Sequence, residues 1–236
     1  MHEGHFQPKF YVVGIGYKPF DKRGKEIIMK ADVILASERL FDVFKRYEEF
    51  ELVRDKTEVI NNVDATMNFV KSHLSSLKSH AVILASGDPL FCGIGRRMVE
   101  EFGKEAVEIV PDLSSVQLAF ARIKEPWDDA FLMTVHHGPY AQARRKPKFG
   151  TKDIPSLLEE HEKIALLTDR ENNPTVIARE ILCSSAVGYQ RSAIKMFVCE
   201  KLGYPDERII QGTPEELAVM EFSEPNVVIL LRRQRS

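Results

Sequence analysis

The chain has 236 residues, 44% of them hydrophobic and 29% charged, the balance of an ordinary globular protein with room for one large or two modest domains. A collagen, a disordered tail and a small disulfide scaffold are excluded by that composition. Lys plus Arg number 33 against 35 Asp plus Glu, a formal net charge of -2, so no global field draws the molecule to nucleic acid or a membrane surface.

The cysteines, Cys92, Cys183 and Cys199, are odd in number and lack CxxC spacing; they predict neither a zinc site nor a disulfide framework, and point to a reducing, cytoplasmic setting. Residues Met1 to Lys9 lack the apolar segment of a secretory signal. No window reaches the roughly 20 apolar residues of a membrane span. The expectation is a soluble protein with no nucleic-acid or membrane partner.

The first element is Phe10-Tyr11-Val12-Val13, a β-branched and aromatic run stopped by Gly14-Ile15-Gly16, which predicts a buried strand entering a tight turn. Residues Lys18 to Gly24 read as a loop. The same buried-strand grammar returns at Asp32–Ala36, Ala81–Ala85 and Ala106–Val110, and such runs predict a mostly parallel sheet. Between them, Asp64 predicts the N-cap of a helix carrying Met67, Val70 and Leu74 on one face, and Ile94 to Phe102 predicts another with Met98 and Val99.

Past Pro111 a helix is expected over Ser114–Arg122, with Ser114 or Ser115 as its cap. The texture changes near Lys124–Asp129. Strands are then predicted at Phe131–Val135, Ile164–Leu167, Ala193–Cys199 and Asn226–Leu231, with two good helices between them, opened by Asn173-Pro174 and Thr213-Pro214. The expectation is α/β throughout, in two α/β domains, residues 8–113 and 114–236.

Three strand ends carry turns suited to a ligand. Gly14-Ile15-Gly16 invites a dinucleotide fingerprint, with Glu38 as its acid, but position 19 is Pro19 and not the third glycine; a plain structural turn competes. In Ala85-Ser86-Gly87-Asp88-Pro89-Leu90-Phe91-Cys92-Gly93, Gly87 permits a turn or close approach by a ligand, and Asp88 stands at the carboxyl edge of the sheet, where open α/β sheets bind ligands. An Asp-Pro turn whose carboxylate caps its own backbone is the bland alternative. Pro111-Asp112-Leu113-Ser114-Ser115-Val116-Gln117 again joins a strand end to a helix start.

In that order, these three segments resemble the tetrapyrrole methylase family, whose members bind S-adenosylmethionine between two α/β domains. Pro126-Trp127-Asp128-Asp129, Val135-His136-His137-Gly138, Leu166-Leu167-Thr168-Asp169, Asn173-Pro174, Glu200-Lys201-Leu202-Gly203 with Pro205, Glu207 and Arg208, and Gly212-Thr213 with Glu216 and Leu217 are similar to the branch that methylates the C-5 meso carbon in cobalamin synthesis. The resemblance runs from about Phe10 to Leu231. It departs after Gly16, where Tyr17-Lys18-Pro19 replaces small residues and Pro, and at Pro139, where Arg usually follows the His-Gly pair; His136 or His137 is the aligned histidine.

The resemblance implies an S-adenosylmethionine-dependent C-methyltransferase acting on a cobalt-precorrin. It implies a donor site made of Tyr17, Gly87, Asp88, Phe91, Ser114, Ser115, Val116, His137 and Leu167. S-adenosylmethionine has no phosphates, so a full phosphate-cradling loop is unnecessary, and the missing third glycine fits this. Asp88 offers hydrogen-bond acceptance, and Phe91 and Val116 apolar wall. An acceptor rich in carboxylates calls for cations, which the run Arg144, Arg145, Lys146 and Lys148 offers, with Lys18, Lys22, Arg23 and Lys25 in the first loop; Arg144 and Arg145 are the expected contacts, and a plain solvated loop is the competing reading of such runs. No catalytic residue is named; His136 and His137 suit base work as well as plain hydrogen bonding. Neither has metal-ligand spacing to a cysteine or carboxylate, so no protein-bound metal is expected and cobalt would arrive within the substrate.

The family habit implies a homodimer. The chain stops at Ser236, soon after its last strand, so C-15 methylation and decarboxylation are expected from a separate chain. Rival readings are a related methylase with another acceptor position, a nucleotide-dependent oxidoreductase resting on Gly14, Gly16 and Glu38, and a non-catalytic tetrapyrrole carrier.

Overall fold

The computed structural model describes residues 10–73, 78–136, 148–184 and 193–232. The chain divides into two units, Met1–Ser114 and Ser115–Ser236. In the first, β1 (Phe10–Ile15), α1 (Lys22–Lys30), β2 (Val33–Ala36), α2 (Glu38–Phe44), α3 (Phe50–Val53), β3 (Thr57–Val59), α4 (Val63–His73), β4 (Ala81–Ser86), α5 (Ile94–Phe102) and β5 (Val107–Val110) follow in order. The five strands form one sheet in the order β3-β2-β4-β1-β5, with every pairing parallel.

The fully buried runs occupy the middle of this sheet: β1 lies between β4 and β5 and keeps Val12 and Val13 at 0% exposure. Side chains alternate between faces. Phe10, Val12, Leu35, Ile83 and Ala85 pack with Met67 and Val70 of α4 and Met98 of α5. The opposite face receives α2, which packs on β1, β2 and β4. The connection from β1 to β2 passes over β4, while that from β4 to β5 passes over β1 in the other direction. With the right-handed crossovers usual for parallel strands, the chain leaves the neighbouring ends of β1 and β4 toward opposite faces, the kind of switch point at which open α/β sheets bind ligands.

Two local expectations are corrected in this unit. Residues Lys18–Gly24 are not all loop, because α1 begins at Lys22, with the Asp21 carboxylate accepting from the Gly24 N–H at 2.7 Å. Only Ile27 and Ile28 of its apolar residues are buried, too few to show a helical stripe in the sequence. Asp64 does not cap α4. The helix starts one residue earlier, Asn62 Oδ1 accepts from the Ala65 N–H at 3.0 Å, and Asp64 pairs with Arg97. Leu74 lies outside the described residues.

The second unit contains α6 (Ser115–Ile123), β6 (Phe131–Thr134), α7 (Ile154–Glu160), β7 (Lys163–Leu167), α8 (Pro174–Cys183), β8 (Ile194–Glu200), β9 (Arg208–Gly212), α9 (Pro214–Leu217) and β10 (Asn226–Arg232). Its sheet runs β6-β7-β10-β8-β9. Strands β6 and β7 pair in parallel, and the other pairings are antiparallel. The core gathers Ile164 and Leu166 of β7, Met196 and Val198 of β8, Val228 and Leu230 of β10, and Ile177 and Ile181 of α8.

Both Pro-led starts form. Asn173 Oδ1 accepts from the Val176 N–H at 3.0 Å ahead of α8. Thr213 and Glu216 bond reciprocally ahead of α9, which is a single turn and not a full helix. Helix α7, with Ile154, Leu157 and Leu158 buried, adds a third to the two helices expected here. The edge strands β3 and β9 also escape sequence reading, because their outward residues are polar or exposed.

Candidate functional site

The carboxyl ends of β1, β4 and β5 are stitched together beyond their ladders. The Gly87 N–H donates to Ile15 O at 3.0 Å, and the Asp112 N–H donates to Gly87 O at 3.3 Å. This close approach dictates the residue at position 14: a Cβ there would stand 1.9 Å from Gly87 O and 2.6 Å from Asp112 N. Gly87 has φ +59, and a Cβ on it would stand 2.6 Å from Leu113 O. The same Cβ would lie 3.3 Å from Tyr17 Cε2 and 3.4 Å from Ser114 Cα. Tyr17, Gly87 and Ser114, expected to share a site, therefore meet at one sheet edge.

Asp112 holds this junction, a role that sequence reading did not assign. It is 5% exposed. Its Oδ2 accepts from the Tyr17 N–H at 2.8 Å and its Oδ1 from the Leu113 N–H at 2.7 Å, so one carboxylate joins the loop after β1 to the loop after β5. The available signal was an acid directly after the strand-ending Pro111. Its partner Tyr17 lies 95 positions away, beyond any local pattern.

Asp88, half-buried, performs the bland task with one oxygen: Oδ1 accepts from the Leu90 N–H at 2.8 Å. Its other oxygen has no partner among the described residues. The turn closes as the Gly95 N–H donates to Pro89 O at 3.0 Å, an approach that a Cβ at Gly93 or Gly95 would obstruct, at 2.5 and 2.8 Å from that carbonyl. Phe91 is half-buried, and Leu90 and Leu113 expose 52% and 39% of their surface at the same edge. The first unit thus offers a rigid backbone cradle, one uncommitted carboxylate oxygen and apolar surface. This combination suits a small ligand with both polar and apolar parts.

In the second unit Ser115 opens α6, and Val116, 1% exposed, packs inward, leaving its main chain and not its side chain for a ligand. Leu167 ends β7 half-buried and accepts from the Val135 N–H at 2.9 Å. His136 is exposed, and its N–H donates to Thr134 Oγ1 at 3.1 Å. His137, Arg144, Arg145 and Lys146 lie outside the described residues.

The branch-type motifs of this unit fasten its loops. Lys163 Nζ reaches Asp129 at 2.8 Å and Pro126 O at 3.0 Å, and this ammonium holds the Asp129 carboxyl below its usual range. Asp169 Oδ1 accepts from the N–H groups of Glu171 and Asn172 at 2.9 and 2.7 Å, shaping the approach to α8. Glu200, 2% exposed, accepts from Arg208 at 2.7 and 3.1 Å and from the Ser223 N–H at 2.6 Å. Glu207 pairs with Arg122 and accepts from the Gly203 N–H at 2.8 Å; the guanidinium lowers its pKa. Burial pushes the Cys199 thiol up to about 12, with the Glu207 charge adding to it.

Among the described residues no cluster of His, Cys, Asp and Glu could hold a metal ion, and no helix is long and apolar enough to cross a membrane.

Comparison with known proteins bears on this geometry. The family model of the tetrapyrrole (corrin/porphyrin) methylases matches residues 9–218. A probable cobalt-precorrin-7 C(5)-methyltransferase of Methanocaldococcus jannaschii is 27% identical over 225 residues, covering 93% of this chain and 96% of that protein. A cobalt-precorrin-7 C(5)-methyltransferase of Salmonella typhimurium is 35% identical over 152 residues, 64% of this chain and 66% of that one. The crystal structure of a precorrin-6Y methylase from Archaeoglobus fulgidus shares the fold with a TM-score of 0.64 at 21% identity, over 98% of this chain and all of that one. Motif order, paired α/β units and a family match across most of the length agree, and the chain belongs to the tetrapyrrole (corrin/porphyrin) methylases.

Proposed function

We propose that this methylase takes its methyl group from S-adenosylmethionine and places it on C-5 of a cobalt-precorrin, converting cobalt-precorrin-7 to cobalt-precorrin-8 in cobalamin biosynthesis. The observation that carries the reading is the alignment with the Methanocaldococcus jannaschii relative over nearly the whole of both chains.

When bound, S-adenosylmethionine supplies a methyl group already activated on a sulfonium, so the protein's task is chiefly to position the reactants. The residues at the sheet edge fit that task. Gly14, Gly87 and Asp112 fix the strand-end backbones without mobile side chains. The uncommitted oxygen of Asp88 accepts a donor hydroxyl, Phe91 and Leu113 supply apolar surface, and Tyr17, Ser114, Ser115, the main chain of Val116, His137 and Leu167 complete the donor set. Arg144 and Arg145 take the acceptor's carboxylates. The proton released from the acceptor passes to water, and no side chain is assigned as base.

The test is incubation of the purified chain with cobalt-precorrin-7 and isotopically labelled donor, followed by carbon NMR of the product. The expected outcome is label at C-5 with C-15 untouched. Label at another ring carbon would overturn the branch assignment, and no labelled product from a folded, donor-binding protein would favour a carrier.

A further inference from the structure

The turn between β1 and α1 is held by side chains and not by the sheet. Pairing of β1 with β4 ends at Ile15↔Ser86, so the N–H groups of Gly16 and Tyr17 lie past the ladder. Each nevertheless has an acceptor. Asp112 takes the Tyr17 N–H, and the Gly16 N–H donates to Tyr47 Oη at 2.8 Å. Tyr47, half-buried, lies just beyond α2, and its N–H donates to Phe44 O at 2.9 Å.

The ring of Tyr47 grips the other end of the same turn. Its centroid is 4.6 Å from that of Phe20 and 6.0 Å from that of Phe44, and Phe20 immediately precedes Asp21, the cap of α1. One side chain thus holds the first residue of the turn by its hydroxyl and the last by its ring. Between these anchors lies Tyr17, which approaches Gly87 at the candidate donor site. Gly16 has φ +130 with nothing within 4 Å of an added Cβ, so no side-chain crowding selects that conformation, and the bond to Tyr47 restrains it beside the Asp112 bond to the next N–H. Burial pushes the Tyr47 phenol above its ordinary range, against the opposing pull of the Gly16 N–H.

We propose that Tyr47 is a positioning residue for the methyl donor, acting through Gly16 and Tyr17 to keep the turn after β1 in its binding conformation. The proposal rests on the donor reading above. Its energetic content is preorganisation: with the hydroxyl gone, the donor must order the turn as it binds, and affinity falls by that cost. A core residue valued only for its ring would not need the hydroxyl.

Tyr47→Phe separates the two roles, since it keeps the ring contacts and deletes the acceptor of the Gly16 N–H. Calorimetry with S-adenosylhomocysteine should show binding about two- to tenfold weaker than wild type, the usual effect of one hydrogen bond. In the ligand-free variant the Gly16 amide should exchange faster by NMR, while amides within β1 keep their protection. In turnover, the donor KM should rise with kcat at saturating donor unchanged. Wild-type affinity in the variant, or unchanged Gly16 exchange, would overturn the proposal. If wild-type protein itself binds no S-adenosylhomocysteine, the donor reading falls and takes this role with it; a loss confined to the variant bears on Tyr47 alone.

Discussion

Replacing Gly14 by Ala tests whether the candidate site is built on backbone contact. The added Cβ would stand 1.9 Å from Gly87 O and 2.6 Å from Asp112 N, whereas comfortable non-bonded contacts lie at about 3.5 Å. Neither partner is a flexible side chain. Gly87 is tied through its N–H to Ile15 O, and its carbonyl receives the Asp112 N–H at 3.3 Å, so relief means parting the loop after β4 from β1 and giving up that second bond. Overpacking costs about 1 to 3 kcal/mol and the lost hydrogen bond about 1 kcal/mol, together about 2 to 4 kcal/mol. For a unit of this size that lowers the thermal midpoint by about 10 to 20 °C. Gly16→Ala is the control: nothing crowds its Cβ, and only its φ of +130 opposes a side chain, at a cost of about 1 to 2 kcal/mol. Scanning calorimetry of both variants, with S-adenosylhomocysteine titrations on the folded proteins, gives the comparison. A Gly14→Ala protein melting within about 2 °C of wild type, or one more stable than Gly16→Ala, would refute the close approach of the three strand ends.

Asp88→Ala should weaken S-adenosylhomocysteine binding by about 1 to 3 kcal/mol, measured calorimetrically; unchanged affinity in a folded protein would leave Asp88 only its turn with Leu90. The double variant Arg144→Ala, Arg145→Ala should raise the apparent KM for a carboxylate-rich tetrapyrrole several-fold while donor affinity holds, and the difference should shrink as salt is added. Normal turnover by that variant at low salt would place both arginines on a solvated surface. Arg122 lowers the Glu207 pKa below its ordinary 4.5. This pair therefore stabilises the fold above the unfolded-state pKa and loses that contribution as pH falls through the depressed folded value. Arg122→Gln should flatten the acid limb of a urea-denaturation series by under about 1 kcal/mol, and an identical pH profile would remove the pair's role.

How far the chain could be read from its residues depended on how local each signal was. Strands β1, β2 and β4 announce themselves because both of their faces are covered, so their residues are apolar without interruption. The capped starts of α8 and α9 are equally plain, since Asn173-Pro174 and the Thr213–Glu216 pair act within one turn. Helix α1 was hidden because Ile27 and Ile28 are its only buried apolar side chains among lysines, and β9 because an edge strand with exposed Arg208 and Gln211 looks like loop.

What the sequence alone determined was the order of three strand-end turns, the two α/β units and the family to which that order belongs. The tertiary structure decided what the turns are made of. Gly14 reads equally well as a ligand-binding glycine or an ordinary turn until Gly87 O is seen against its Cα. Asp112 is an undistinguished acid until its carboxylate takes the N–H of a residue 95 positions away. Glu200 and Glu207, legible only as motif letters, become the fastenings of Arg208, Ser223 and Arg122. The division has one physical cause. Propensity, capping and hydrophobic period act over a few residues and are written in any short window, whereas backbone approach and buried hydrogen-bond partnership come into being only when strands distant in the chain become neighbours in the sheet.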